Sequence, residues 1–139
     1  MKFDLELFHK GRDLVVAQGQ PSTQYGDCRY RGANDTKCFA GFFIPDEEYV
    51  KREEGPLRSY GHLFTPEGFV AVKLGQTCHD HAAIPLSWDR FVESICLVMD
   101  MDIPQAWLKS PSADTTQMDF VELFQLYCDF VEKEVVNDE

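Results

Sequence analysis

Basic residues are scarce in this chain. Its 139 residues include 13 Lys and Arg against 24 Asp and Glu, which gives a formal net charge of −11 and a pI near 4.7. A surface this acidic repels phosphates, so nucleic acid is not expected as a direct ligand. It favours solubility, and it permits binding to a protein partner with a basic surface. The alternative interpretation is a solvated acidic shell that carries no information about partners.

The chain also lacks a long apolar run. No stretch approaches the roughly 18 consecutive apolar residues of a membrane-spanning helix, so no membrane association is predicted. The first residues, MKFDLELFHKGRD, carry charges throughout and lack the apolar core of a signal peptide. We therefore expect a cytoplasmic protein. The oligomeric state does not follow from the sequence.

Signatures of cofactor binding and of disulfide scaffolds are missing as well. The sequence holds no P-loop and no Gly-x-Gly-x-x-Gly motif, and no cofactor is predicted. Five cysteines are an odd number at spacings that form no compact secreted framework. We expect reduced thiols.

What is present is typical of a folded domain. An apolar fraction of 44% with eleven Phe predicts a single domain over 1–139. Apolar periodicity and capping residues predict four helices: Phe3–Gln18, Pro45–Arg52, Ser87–Asp100 and Thr116–Val136. Thr116 with Asp119 resembles a capping box, and Ser110–Ser112 is predicted to be a loop.

Two regions do not follow this helical pattern. Residues 57–85 are punctuated by Gly and Pro and are interpreted as a long loop with a short strand at Phe69–Leu74. Turn formers between Tyr25–Tyr30 and Lys37–Phe43 predict a β-hairpin. Its register decides whether Cys28 and Cys38 meet. The predicted fold class is α+β, a single domain that is mainly helical with a central β-hairpin.

The hairpin and the helix after it carry motifs that resemble a family of small, uncharacterised phage, prophage and bacterial proteins. The motifs are Gly19-Gln20-Pro21-Ser22, Cys28-Arg29-Tyr30-Arg31, Lys37-Cys38-Phe39-Ala40-Gly41, Ile44-Pro45-Asp46-Glu47-Glu48-Tyr49 and Glu54-Gly55. They cover about a quarter of the chain. A later Pro-x-x-Trp step appears as Pro104-Gln105-Ala106-Trp107, but the family's preceding His is absent. The resemblance implies a phage or mobile-element setting and no activity.

The same block supplies the candidate binding residues, which are Arg29, Arg31, Asp46, Glu47, Glu48, Glu53 and Glu54. Arg29 and Arg31 alternate along a predicted strand and so share one face. Such a pair can grip a carboxylate or phosphate. Pairing with Asp46, Glu47 or Glu53 is favoured, because these acids follow so closely.

The Cys78-His79-Asp80-His81 stretch holds the residue types of a metal site or a thiol enzyme. Cys78, His79 and His81 are the candidate ligands, and Cys28 and Cys38 could supply further thiolates. The spacings depart from those of standard zinc motifs, and no metal is predicted. A nucleophile would be Cys38 or Cys78, with His79 or His81 and Asp80. No thiol-protease signature accompanies them, and no catalytic residue is predicted.

These observations lead to an expected function. The chain is interpreted as an acidic phage or mobile-element accessory protein that binds and inhibits a host protein with a basic surface. The target would be a nucleic-acid-binding defence factor, as for anti-CRISPR or anti-restriction proteins. The alternatives are a small enzyme or metal-binding protein that uses the Cys78–His81 stretch, and a sponge that binds a signalling nucleotide through Arg29 and Arg31.

Overall fold

The structure is a computed structural model that describes residues 3–85, 87–109 and 115–136. Its α-helices are α1 (Leu5–Gln18), α2 (Asp46–Arg52), α3 (Pro66–Ala83), α4 (Trp88–Met99) and α5 (Phe120–Phe130). Two short strands, β1 (Thr23–Gln24) and β2 (Asp27–Cys28), pair antiparallel. Further 3-10 turns and a π-helical turn (Val131–Val136) complete these elements. The predicted mainly helical single domain with a hairpin is confirmed, at 69% helix.

The central helix α3 corrects the sequence interpretation. Residues 66–83 form one helix, where a loop and the strand Phe69–Leu74 had been expected. Thr65 caps it by accepting a hydrogen bond from the Gly68 amide at 3.0 Å. Pro66 occupies the first turn, where its missing N–H costs nothing. The helix is buried on several sides, so its apolar residues follow no one-sided helical pattern.

Helices α1, α4 and α5 pack around α3. These helices share one core of fully buried side chains. They include Phe8 and Val15 of α1, Phe91 and Ile95 of α4 and Phe124 of α5. Gly11 of α1 and Gly75 of α3 both lie against the Phe39 ring near Cζ and Cε2, and a Cβ at either position would overlap it. Glycine is thus required where the aromatic ring passes between two helices.

The predicted helices Phe3–Gln18, Ser87–Asp100 and Thr116–Val136 are present with small shifts. Asp4 caps α1 by accepting from the Leu7 amide at 3.0 Å, and Ser87 caps α4. The last helix begins later than predicted, because Asp119 and not Thr116 is its N-cap. Asp119 accepts from the Glu122 amide at 2.9 Å. The predicted loop Ser110–Ser112 lies outside the described residues.

The hairpin is present but shifted towards the N-terminus. Its turn is Tyr25-Gly26, with φ of 55° and 83°, the backbone of a tight two-residue hairpin turn. Between the two arms that the sequence predicted, the described residues form one isolated antiparallel bridge, Arg31 to Lys37. The predicted second arm, Lys37–Phe43, instead leads into a 3-10 turn at Ala40–Phe43. This curl places the Phe39 ring in the core.

Candidate functional site

The residues that the fold assembles are Cys28, His79 and Asp80, whose side-chain ligand atoms lie within 4.8 Å of one another. The hairpin supplies Cys28, and the last turns of α3 supply His79 and Asp80. Cys28 and His79 were both among the candidate ligands from the sequence, but Asp80 was not expected as a ligand beside them. Only the packing of the hairpin against α3 brings them together.

The predicted grouping of Cys78, His79 and His81 is not formed. Successive residues of a helix are rotated by about 100°, so these three side chains leave α3 in different directions. Cys78 is fully buried next to Cys128 of α5. His81 instead contacts the Ser94 hydroxyl of α4, with its Nε2 3.2 Å from Oγ. Cys38, the other candidate nucleophile, is buried, and its sulfur accepts a hydrogen bond from the Gly41 amide. All five cysteines are free.

His79 is held in one tautomer by its neighbours. It is fully buried, and its Nε2 accepts a hydrogen bond from the Ser22 backbone N–H at 3.1 Å. A backbone N–H only donates, so Nε2 carries the lone pair and Nδ1 carries the proton. That proton is donated to Asp80 Oδ1, 2.9 Å away. Both ring nitrogens are therefore engaged within the protein.

This tautomer does not fit a metal centre. A metal-bound imidazole gives its lone pair to the ion and donates its other N–H to an acceptor. At His79 the lone pair points to a donor, the Ser22 amide, and the N–H points to Asp80. Metal binding at Nδ1 would place a second N–H against the Ser22 amide. The cluster is arranged as a closed hydrogen-bond network.

The Cys28 thiol is equally unsuited to nucleophilic attack. Burial raises its pKa to about 12, and the charge of Asp80 and a hydrogen bond to that carboxylate add to the effect. Reactive thiolates need a positive environment that lowers the pKa. Cys28 lies beside two acids, Asp80 and Asp27, and is a protonated donor.

Arg31 is committed to the fold by three contacts. Its guanidinium pairs with Asp46 at 2.7 Å, donates to the Ile44 carbonyl at 3.0 Å and lies 4.4 Å from the centre of the Tyr49 ring. The Arg31–Asp46 pair is one of those favoured from the sequence. Arg31 is therefore occupied by protein groups.

Glu54 braces the same region from the other side. Its Oε1 accepts from the Tyr30 amide at 2.8 Å, and its Oε2 accepts from the Arg31 amide at 3.3 Å and the Tyr49 hydroxyl at 2.7 Å. The pKa of Tyr49 is raised to about 12. Burial is the largest cause, and the hydrogen bond to the Glu54 carboxylate is the second. Glu54 thus organises the hairpin and α2 in place of an external ligand.

The other predicted acids of α2 divide into paired and exposed residues. Glu48 pairs with Arg52 and lies 3.9 Å from Lys51 and 3.4 Å from His62. Within the described ranges, Glu47 and Glu53 are exposed and have no ion-pair partner within 4 Å. The predicted binding block is therefore mainly internal bracing.

Arg29 lies in a cleft between the hairpin and α3. The cleft has a volume of about 430 Å³ and includes Asp27, Tyr30, Glu54 and Asp80 in its lining. Three carboxylates accompany one guanidinium there, so the lining does not favour an anionic guest. Arg29 and Arg31 do not form the paired grip that the predicted strand implied, because Arg31 is bound to Asp46.

Sequence reasoning missed Ser22 as a partner of this cluster. Ser22 is fully buried, its amide binds His79, and its hydroxyl donates to the Thr36 carbonyl at 3.3 Å. Its position after a helix-ending Gly-x-Pro step marked it as a loop residue only. No local signal in the sequence joins it to α3.

Comparison of the chain with protein-family models, with curated proteins and with solved structures finds no match. Among the described helices, none has both the length and the apolar character needed to cross a bilayer.

Proposed function

We propose that this protein is a non-enzymatic binding protein that docks an acidic surface on a basic surface of another protein. With the resemblance of its central block to phage and prophage proteins, the setting is a phage or mobile element. The target is then a host nucleic-acid-binding protein, as for inhibitors of CRISPR or restriction systems.

The observation that carries the proposal is the number of exposed acids without a basic neighbour. Within the described residues these acids have no ion-pair partner within 4 Å. They are Glu6, Asp27, Asp35, Glu47, Glu53, Glu67, Asp89, Glu93, Asp100, Asp102, Asp119, Glu122 and Asp129. Charges of one sign left in solvent attract an oppositely charged surface and speed encounter with it.

The geometry of the Cys28 cluster supports binding over catalysis. A thiol enzyme needs a base with a free lone pair beside the nucleophile. The lone pair of His79 is taken by the Ser22 amide, and the Cys28 thiol is protonated. The nucleotide-sponge alternative loses support because Arg31 is already paired with Asp46.

Affinity capture tests the proposal. The purified protein is immobilised, exposed to a bacterial lysate at low salt and eluted with rising salt. We expect a protein with a basic surface to elute early in the gradient, because exposed charges are screened over about 8 Å at physiological salt. Retention that is insensitive to salt would contradict the proposal. So would an eluate that contains a nucleotide or metal and no protein.

A further inference from the structure

The end of α4 and the chain that follows it enclose a groove with an apolar floor. Asp100, in a left-handed conformation with φ of 52°, ends the helix and turns the chain back. The resulting groove has a volume of about 580 Å³. Its apolar lining is Cys96, Leu97, Met101 and Ile103.

Leu97 is the most exposed aliphatic side chain of this surface. The buried stripe of α4, which includes Phe91, Val92 and Ile95, faces the core. Leu97 points away from that stripe and is 82% exposed. A single exposed leucine is ordinary on a protein surface. Here it adjoins Met101 and Ile103 in one groove, so the apolar surface is continuous.

Two acids lie beside this apolar surface. Glu93 and Asp102 line the groove, while Asp89 and Asp100 are exposed at the two ends of α4. Within the described residues, none of these four has a basic partner within 4 Å. The bases of this stretch, Arg90 and Lys109, are not among the lining residues.

We infer that the groove binds a basic peptide segment of a protein partner, with one large apolar side chain between Leu97, Met101 and Ile103. Lysines or arginines on either side of that anchor pair with Glu93 and Asp102. The choice of occupant follows from charge complementarity. A second copy of the chain is disfavoured, because each copy carries a net charge of −11. The inference rests on the proposed function and assigns a surface to it.

The chemistry of the lining suits such an anchor. Methionine is flexible and polarisable, so Met101 adapts to the shape of an inserted side chain. Binding energy in protein interfaces is concentrated in a few apolar anchors within a polar rim. The groove provides both parts: an apolar centre at Leu97 and an acidic rim at Glu93 and Asp102.

Two synthetic peptides test the anchor. One has the sequence Lys-Arg-Lys-Leu-Lys-Arg-Lys, and the other has Gly in place of Leu. Each carries a fluorophore for binding by anisotropy. We expect the leucine peptide to bind at least about tenfold more tightly, since burial of a leucine side chain is worth about 1.5–3 kcal/mol. Equal affinities of the two peptides would overturn the anchor.

Two matched variants of the protein locate the site. Leu97→Lys places a positive charge in the groove, and Val50→Lys makes the same change at a 74% exposed apolar residue of α2. We expect Leu97→Lys to weaken binding of the leucine peptide at least about tenfold, and Val50→Lys to weaken it less than about twofold. Both side chains are exposed, so circular dichroism should report an unchanged fold.

The outcomes separate this inference from the proposed function. Salt-sensitive peptide binding that both variants weaken equally, or that neither weakens, would overturn the groove and leave the acidic-binding proposal standing. If neither peptide binds but the lysate experiment captures a basic protein that salt elutes, the groove is likewise overturned and the acidic-binding proposal stands. Failure of both the peptide and the capture experiments would overturn both.

Discussion

Two regions of the molecule differ in how their backbone amides find hydrogen-bond partners. One is the set of helices α1, α3 and α5, and the other is the segment 20–64. The helices satisfy their amides internally and pack through apolar side chains such as Phe8, Leu74 and Phe124. Apart from α2 and its 3-10 turns, the segment 20–64 has only two-residue strands, so many of its amides need other partners. Carbonyls elsewhere in the segment and side chains provide them.

These side chains come from the helices and from the segment itself, where Glu54 accepts from two amides. The Gln18 amide of α1 both donates to the Lys37 carbonyl and accepts from the Lys37 amide, each at 2.9 Å. Gln76 of α3 accepts from the Ala40 amide at 2.9 Å, and His79 accepts from Ser22. The comparison shows that α1 and α3 act both as core and, together with Glu54, as a polar frame for a segment with little regular structure.

Replacing Gly75 with Ala should disrupt the junction of the two regions. The new Cβ would overlap the ring of Phe39, which brings the segment into the helical core. We expect a loss of about 3 kcal/mol in the free energy of unfolding, measured by urea denaturation, since overpacking a core typically costs about 1–3 kcal/mol and occasionally more.

The matched control is Gly61→Ala. The nearest atoms to a Cβ at Gly61 are those of the Phe69 ring at 3.8 Å, which is ordinary contact. Phe39→Leu in the Gly75→Ala background should recover part of the loss, because the two changes act on one contact. Equal stabilities of the Gly75 and Gly61 variants would show that the Phe39 contact is not tight.

Replacing Glu54 with Gln should weaken the polar frame and leave the helical core intact. The amide cannot accept at both of its ends from the amides of Tyr30 and Arg31 and the hydroxyl of Tyr49. We expect a loss of about 2 kcal/mol, from the worth of hydrogen bonds to a charged group. Hydrogen exchange should accelerate in 20–64 more than in α5. Glu53→Gln, at an exposed neighbour, is the control and should change stability by less than about 0.5 kcal/mol. Uniform acceleration across the chain would contradict a separate polar frame.

Alkaline pH should destabilise the fold through Cys28. Its pKa is raised from the ordinary 9.0 to about 12. A group whose pKa is raised on folding contributes stability that is complete below pH 9 and is lost as pH rises towards 12. Urea unfolding at a series of pH values should show this decline, and Cys28→Ser should make it shallower. An identical pH dependence for the serine variant would rule out Cys28 as a source.

The helices could be predicted from the sequence where apolar periodicity and capping residues agree. Ser87 and the apolar stripe through Phe91 and Ile95 mark α4 correctly, and Gly19 marks the end of α1. The prediction failed for α3 because Pro66, Gly68 and Gly75 were interpreted as breakers. Pro66 lies in the first turn, where it is tolerated, and Gly75 makes room for a ring from elsewhere in the chain. That second role depends on tertiary packing and leaves no local pattern.

The candidate site shows the same limit. The Arg31–Asp46 pair was within reach of sequence reasoning, because both residues belong to one short block. The Cys28–His79–Asp80 cluster was only partly within reach. Cys28 and His79 were candidate ligands, but their proximity to each other and to Asp80 depends on the packing of the hairpin against a helix that the sequence concealed. The α4 groove was also missed, since periodicity marks the buried face of a helix and says little of a side chain such as Leu97 outside it.

The central position of α3 has a consequence for synthesis on the ribosome. Phe8, Val15 and the segment 20–64 all depend on a helix that is completed only at Ala83. At roughly 5–20 residues per second, the apolar face of α1 waits several seconds for its partner. During that time Gly75 is not yet in place beside the Phe39 ring. His79 is also not yet available to accept the hydrogen bond from the Ser22 amide. The N-terminal half therefore cannot complete its core before α3 has left the exit tunnel.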